Sequence, residues 1–89
     1  MGHELTIIKS PPATFQGRTR LIANPAFKKE DALGLWFGPP GAEATLLVGE
    51  TETEIYIMQR TRSAVNNELL GLLIQEAASQ FEQIIITEP

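Results

Sequence analysis

The chain of 89 residues has no cysteine and a single histidine, His3. Without cysteine, neither a disulfide nor a thiolate metal site can reinforce the core. Without a second histidine or any cysteine, a structural zinc site and a histidine-based catalytic triad are effectively excluded. Chain termini fray and cloning remnants often extend this far, so no catalytic role is expected for His3. No metal and no cofactor are expected.

Long hydrophobic runs are also missing. The longest apolar run is far shorter than the roughly 18 residues that a membrane span needs. The N-terminus has no basic segment followed by an apolar one, which a secretory signal would require. The sequence therefore predicts a cytoplasmic protein that does not contact a membrane.

Positive charge is in short supply. The chain has 7 Lys and Arg against 11 Asp and Glu, a formal net charge of -4. General affinity for phosphate backbones comes from clustered Lys and Arg, so no direct binding to nucleic acid is expected. An acidic surface suits a basic protein partner, or it keeps the protein soluble.

The hydrophobic content of 43% with 20% charged residues is ordinary for a globular protein. The length predicts one small domain, residues 1–89, in which residues 1–16 are a candidate irregular N-terminal extension. A chain this short buries only about 60 to 65% of the surface that it exposes when unfolded. Association with a copy or a partner would add burial.

The N-terminal half predicts two strands and a short helix. Leu5 to Lys9 is apolar and ends at two prolines, which favours a brief edge strand followed by a loop. Gly17 to Ala23 alternates and is predicted as a strand. The asparagine and proline that follow are typical of a helix start, so Pro25 to Leu33 is predicted as a short helix.

The C-terminal half predicts further strands. Leu35 to Phe37 is strand-like and is followed by the turn Gly38 to Gly41. Ala44 to Val48 and Thr53 to Gln59 are predicted as an antiparallel hairpin. The last segment, Ile84 to Thr87, is a continuous apolar run typical of a strand buried on both faces, which predicts an internal position.

These elements predict an α+β fold with a mainly antiparallel sheet of three to five strands, one short helix and one long C-terminal helix. From Gly17 onward the order is strand, helix, strand, strand, helix, strand, which is the ferredoxin-like βαββαβ order. The first strand and the segment Leu35 to Phe37 have no place in that order.

The long helix, Ser63 to Gln80, is capped by Thr61 or Ser63 and is apolar around too much of its circumference. At 100° per residue the apolar side chains spread over about 200°. A helix that lies on one sheet needs a stripe of little more than about 100°. The excess predicts a second covering surface, from this chain or from another molecule, and the candidate interface residues on it are Leu70, Ile74, Ala78 and Phe81.

A second candidate interface lies on the predicted strand Thr53 to Gln59. Its alternation places Tyr56 and Met58 on one face beside charges, a mixture enriched at protein interfaces. The alternative is that helices cover both faces of the sheet and bury these two residues. Trp36, beside a proline-rich turn, is a candidate platform for a peptide or ring-shaped ligand, or else it staples a loop over the core.

The segment around Glu50, Glu52 and Glu54 is the one charge pattern with a geometric consequence. If it is extended, its carboxylates share a face at about 6.5 to 7 Å, since a strand rises roughly 3.3 Å per residue. Such an acidic row resembles phosphates along a nucleic acid. The other interpretation is a solvated hairpin turn whose charges discourage pairing with other strands.

Three functional hypotheses follow. The first is a non-enzymatic protein-interaction module that binds itself as a homodimer, or a protein partner, through its apolar helix or strand surface. The second is an acidic mimic of nucleic acid that inhibits a nucleic-acid-binding protein. The third is a small-ligand-binding domain or a carboxylate enzyme, although no candidate carboxylate pair lies among apolar residues. A basic set is interpreted as a solvated face or an anion site: Arg18, Arg20, Lys28 and Lys29.

Overall fold

The computed structural model describes residues 3–61 and 63–88. Met1 and Gly2, whose native origin the sequence leaves open, lie outside these ranges. The elements in chain order are β1 (His3–Ser10), α1 (Arg18–Ile22), β2 (Phe27–Asp31), β3 (Gly34–Phe37), β4 (Leu46–Glu50), β5 (Glu54–Gln59), α2 (Ala64–Gln80) and β6 (Gln83–Thr87).

The six strands of the described residues form one sheet in the order β2-β3-β4-β5-β1-β6. All neighbouring strands are antiparallel. Strands β2 to β5 form a meander, and α2 then carries the chain past β1 to β6. The α+β class, the antiparallel sheet and the long helix near the C-terminus are confirmed. The prediction of three to five strands is wrong, and so is the ferredoxin-like order.

The predicted strand at residues 17–23 is a helix. Helix α1 has five residues, and Leu21 is its buried residue. A segment this short fits both the helical and the strand period, so its pattern cannot decide between them. Packing of Leu21 into the core decides it.

The predicted helix at residues 25–33 is largely a strand. The side-chain oxygen of Asn24 accepts a hydrogen bond from the Ala26 amide at 2.9 Å, which closes a local turn instead of capping a helix. Strand β2 then pairs with β3, and the rings of Phe27 and Phe37 meet edge to face at 5.6 Å. Pairing across the sheet outweighs the local helix signal.

Strands β1 and β6 do not occupy their predicted positions. Strand β1 was expected at an edge, but it lies between β5 and β6, and Ile7 is fully buried. Strand β6 was expected to be internal, but it is an edge strand whose Ile85 and Ile86 are 50% and 43% exposed. An apolar run indicates that burial of its side chains is favourable. It does not show whether other parts of the same chain cover them.

Helix α2 packs on one face of the sheet and encloses the core with it. The helix contributes Leu69, Leu73 and Ala77, which are spaced at three and four residues as a single buried stripe requires. Loop residue Phe15 and Leu21 of α1 close one side. The sheet contributes alternate residues of its inner strands: Ile7, Leu35, Phe37, Leu46, Val48, Ile55 and Ile57.

The start of α2 is fixed by the predicted cap. Ser63 precedes the first helical residue, and its hydroxyl accepts a hydrogen bond from the Asn66 amide at 3.1 Å. The side-chain amide of Asn66 is buried and donates to the Thr45 hydroxyl and the Thr61 carbonyl, both at 2.9 Å. This asparagine therefore anchors the first turn of the helix to the ends of β4 and β5.

One buried cation joins distant parts of the fold. The side chain of Lys9 is fully buried, and its ammonium donates to the Glu50 carboxylate at 2.7 Å. It also donates to the carbonyls of Ala13 at 2.7 Å and Thr51 at 3.0 Å. The same carboxylate oxygen of Glu50 accepts from the Phe15 amide at 2.6 Å. All three ammonium donors are thus used, as a buried charge requires.

We expect Lys9→Met to lower the free energy of unfolding by about 2–4 kcal/mol, since it leaves a partly buried carboxylate without its cation. The matched control is Arg20→Met, which breaks an ion pair with Glu76 in which the arginine side chain is 75% exposed. That change should cost about 0.5 kcal/mol or less. Urea denaturation measures both values, and equal losses would contradict the assigned role of Lys9.

Candidate functional site

The predicted helix interface is only partly accessible. Leu70 and Ile74 are half-buried and Ala78 is exposed. The prediction of Phe81 as an interface residue is corrected, because its side chain is 5% exposed and belongs to the core. It is the C-cap of α2 and has extended backbone angles, φ -97° and ψ 145°. Helical periodicity therefore stops one residue earlier, and the ring turns inward to within 5.8 Å of the Lys9 ammonium.

The two flanks of α2 have different surroundings. Glu76 lies on one flank and pairs with Arg20 of α1, and the side chain of Gln80 bonds with the backbone of residues 14 and 16. At 100° per residue, Leu70, Ile74 and Ala78 lie on the opposite flank. On both flanks the apolar side chains of the helix are half-buried against the core, Leu72 on the α1 side as well as Leu70 and Ile74 on the other. Of the predicted interface residues within the helix, Ala78 alone is exposed.

Strand β6 adds exposed apolar side chains at the edge of the sheet. Ile84 and Ile86 lie on the same sheet face as α2, since their partners across the pairing are Lys9 and Ile7. Ile85 points to the opposite face, where its partner is Ile8. We call the following residues the β6 edge surface: Ile84, Ile85 and Ile86 of the strand, with Leu70, Ile74 and Ala78 of the helix.

The face of the sheet away from α2 carries Tyr56 and Met58. The Tyr56 ring lies over Gly49 of the neighbouring strand, and its hydroxyl donates to the Leu33 carbonyl at 2.7 Å. Met58 is exposed and lies opposite Leu47, which is buried. Tyr56 therefore links β5, β4 and the turn between β2 and β3. Met58 remains a candidate contact residue.

Trp36 lies on the same open face and is surrounded by charges. Its indole N–H donates to the Asp31 carboxylate at 2.9 Å. The Lys29 ammonium and the Arg60 guanidinium lie 5.7 Å and 5.8 Å from the ring centre. Both distances are within the range of cation–π attraction. The half-buried ring therefore holds two cations on the sheet surface.

The hydrogen bond from the Trp36 indole holds the pKa of Asp31 below its usual value. Slight loss of hydration acts in the other direction, while the amides of Leu33 and Gly34 and the charge of Lys29 lower the pKa further. A lowered pKa is the opposite of what a general acid at neutral pH requires. Asp31 is therefore ionised, and its carboxylate holds the tryptophan ring in position.

The segment of Glu50, Glu52 and Glu54 is a turn between two strands. The Thr51 amide donates to the Glu54 carbonyl at 2.8 Å. Glu50 ends β4 on the covered face and is held by Lys9, whereas Glu54 begins β5 opposite Ile8 on the open face. The condition for an evenly spaced acidic row is therefore not met. Binding of a basic partner by these carboxylates stays a prediction.

Comparison of the chain with models of known protein families, with curated protein sequences and with solved structures gives no match. Among residues 3–61 and 63–88, no group of three His, Cys, Asp or Glu side chains could hold a metal ion. Neither α1 nor α2 combines the length and the hydropathy that a bilayer-spanning helix needs. Function is therefore inferred from the surfaces described above.

The group around Trp36 is the feature that sequence patterns did not find as a unit. Arg60 follows Trp36 by 24 residues and Lys29 precedes it by 7, and only the order and register of the strands bring both side chains to one ring. One local signal was present, because Asp31 and Trp36 flank the short turn between β2 and β3. A carboxylate and an indole at the two ends of a hairpin can meet across it.

We expect the Asp31 carboxyl to titrate at a lower pH than an aspartate in an unfolded peptide. Because the pKa is lowered in the folded protein, the stability that Asp31 contributes is present above the unfolded pKa and is lost as the pH falls through the folded pKa. Carbon-13 NMR of the side-chain carboxyl measures the midpoint. Trp36→Phe should raise it, and an unchanged midpoint would show that the indole is not the cause.

We expect Gly49→Ala to lower the free energy of unfolding by about 1–3 kcal/mol, since the new methyl group would lie 2.0 Å from the Tyr56 ring. The same change on a Tyr56→Ala background should cost much less, which a double-mutant cycle detects. Gly71→Ala is the matched control. Nothing lies within 4 Å of its added carbon, so it should stabilise α2 by about 1 kcal/mol.

Proposed function

We propose that this protein is a non-enzymatic interaction module that associates with a second copy of itself by pairing β6 with β6. The observation that carries the proposal is the combination of position and composition in β6. It is an edge strand, and it consists of Gln83, three isoleucines and Thr87. Such a strand presents unpaired backbone groups together with exposed apolar side chains.

The opposite edge of the sheet shows what a protected edge looks like in this protein. Strand β2 carries four consecutive charged residues, Lys28 to Asp31, and its pairing with β3 is shifted at a bulge between Phe27 and Lys29. Charges and bulges are the devices that prevent an edge from pairing with other chains. Strand β6 has neither charge nor proline between Gln83 and Thr87. The β2 edge is therefore protected against pairing with another chain, whereas the β6 edge is not.

The sequence of β6 is compatible with itself in an antiparallel pairing. In a register centred on Ile85, each Ile85 lies opposite its own copy, and Ile84 lies opposite Ile86 of the second copy. Opposite residues in an antiparallel pair point to the same face. Both α2 helices then lie on the same side of one continuous sheet, and the apolar part of the β6 edge surface faces its copy.

The second copy is favoured over an unrelated partner because the three isoleucines match one another and the polar ends, Gln83 and Thr87, also match. Ile85 and Ile86 are 50% and 43% exposed in the single chain, and pairing would cover both. Burial of apolar surface contributes roughly 25 cal/mol per Å² before the costs of association. For a chain with a small core, this added burial also stabilises the fold.

We expect Ile85→Lys to convert the self-associated protein to a monomer, because it places two like charges at the centre of the pairing. Sedimentation velocity at micromolar concentration measures the mass. The matched control is Leu33→Lys, which changes an apolar side chain that is 56% exposed at the far end of the sheet. This control should keep the mass of the unchanged protein.

Two results would overturn the proposal. One is a monomeric unchanged protein at concentrations of tens of micromolar. The other is an equal loss of mass in Ile85→Lys and Leu33→Lys, which would indicate a general solubility effect. Circular dichroism on each variant serves as the folding control. We expect the fold to be retained, because Ile85 lies at an exposed position.

A further inference from the structure

Positive charge without a carboxylate partner is concentrated at one place in the described chain. Three basic residues far from Trp36 are paired: Lys9 with Glu50, Arg18 with Glu30 and Arg20 with Glu76. Among the described residues, Lys28 and Arg60 form no salt bridge, and Lys29 approaches only Asp31, at 3.9 Å. Within the described residues, the two basic side chains without a salt bridge, Lys28 and Arg60, and the long pair of Lys29 thus lie near the single tryptophan.

These side chains line one cleft of about 420 Å³, which we call the Trp36 cleft. Its walls are Lys28, Lys29, Trp36, Ala42, Glu43, Ala44 and Arg60. The basic residues come from β2 and from the end of β5, on either side of β3 and β4 in the sheet. Residues that are distant in the sequence are thus brought to a common site.

The bulge in β2 explains how two consecutive lysines reach the same cleft. Consecutive residues of a regular strand point to opposite faces. Here the pairing advances by two residues from Phe27 to Lys29 while β3 advances by one, from Phe37 to Trp36. Lys28 is therefore the inserted residue, and its side chain passes close to Gly38. Lys29 lies directly opposite Trp36.

The tryptophan holds two of these cations in place before any ligand arrives. The Lys29 ammonium and the Arg60 guanidinium lie within 5.8 Å of the same ring centre, and the ring is itself fixed by its hydrogen bond to Asp31. The Arg60 backbone is tied to the Thr45 carbonyl at 2.8 Å. Binding of an anion by prepositioned cations requires less ordering of side chains.

We propose that the Trp36 cleft binds a small, multiply charged oxyanion of the phosphate class. Three cations line the cleft against one lining carboxylate, that of Glu43, and an anion with several charged oxygens can contact all three cations at once. A guanidinium matches the bidentate geometry of phosphate, and the two ammonium groups add point charges. The overall charge of -4 opposes long polyanions, whereas a small anion responds mainly to the local field within a Debye length of about 8–10 Å.

Glu43 gives the proposal a test with a definite sign. Its carboxylate lines the same cleft and forms no salt bridge with a described residue. It must therefore oppose an anion bound there. Removing its charge should tighten binding, whereas removing a basic charge should weaken it.

The experiment uses the fluorescence of Trp36, the only tryptophan in the chain. The protein is titrated with inorganic phosphate, pyrophosphate and phosphoserine, at constant ionic strength set with chloride. We expect a saturable change and tighter binding of pyrophosphate than of phosphate. Binding of phosphoserine as tightly as phosphate would assign the cleft to phosphate esters, and binding of the inorganic ions alone would assign it to free phosphates.

Three variants complete the test. Arg60→Gln should weaken pyrophosphate binding at least tenfold, and Glu43→Gln should tighten it. Arg20→Gln, which removes a charge paired on the other side of the molecule, should leave it unchanged. Lys28→Gln takes the place of Arg60→Gln if circular dichroism shows that the latter does not fold.

A response that does not saturate, or that chloride reproduces, would overturn the proposal. So would an equal effect of Arg60→Gln and Arg20→Gln. The site is independent of the proposed self-association, because β6 and the cleft lie at different ends of the sheet. Ile85→Lys should therefore bind pyrophosphate with unchanged affinity, so the two proposals can fail separately.

Discussion

The buried ion pair of Lys9 and Glu50 is the constraint on which the rest of the fold depends. It ties the end of β1 to the end of β4, and the shared carboxylate also holds the loop that leads to Phe15. Phe15 then closes the core beside α2. Because a buried ammonium must keep its acceptors, these segments cannot move separately. The irregular segment after β1 is therefore held in place by a single charge. Its contacts with one flank of α2 depend on that charge as well.

The sheet around this pair is asymmetric in chemistry as well as in shape. One end carries the charged, bulged strand β2 and the cations around Trp36. The other end carries the uncharged strand β6 with its exposed isoleucines. Binding by apolar burial can occur at the second end and binding by charge at the first. The two interfere little, because the inner strands separate them. A small domain can in this way present two surfaces of different character.

The sequence predicted the elements whose signals are long or local. Helix α2 and its Ser63 cap were predicted because their periodicity covers many residues, and the hairpin of β4 and β5 because its turn is short. Residues 17–33 failed because a few residues fit either period, and contacts with β3 and the core decide between them. Phe81 failed because periodicity was extended past the helix end. The Trp36 cleft depends on sheet order, which no local pattern contains.

The position of β1 has a consequence for how the protein is made. This strand is synthesised before the other elements of the sheet, whereas its neighbours β5 and β6 follow 44 residues or more later, and Thr6 pairs with Thr87. Its hydrogen-bonding partners therefore do not exist until residues 54–59 and 83–87 have been synthesised. Pairings between such distant residues slow folding, and an unpaired apolar strand is open to wrong partners while it waits. Among the buried core residues, Ile7 is therefore synthesised first and stays exposed to solvent for the longest time, although it is fully buried in the folded protein.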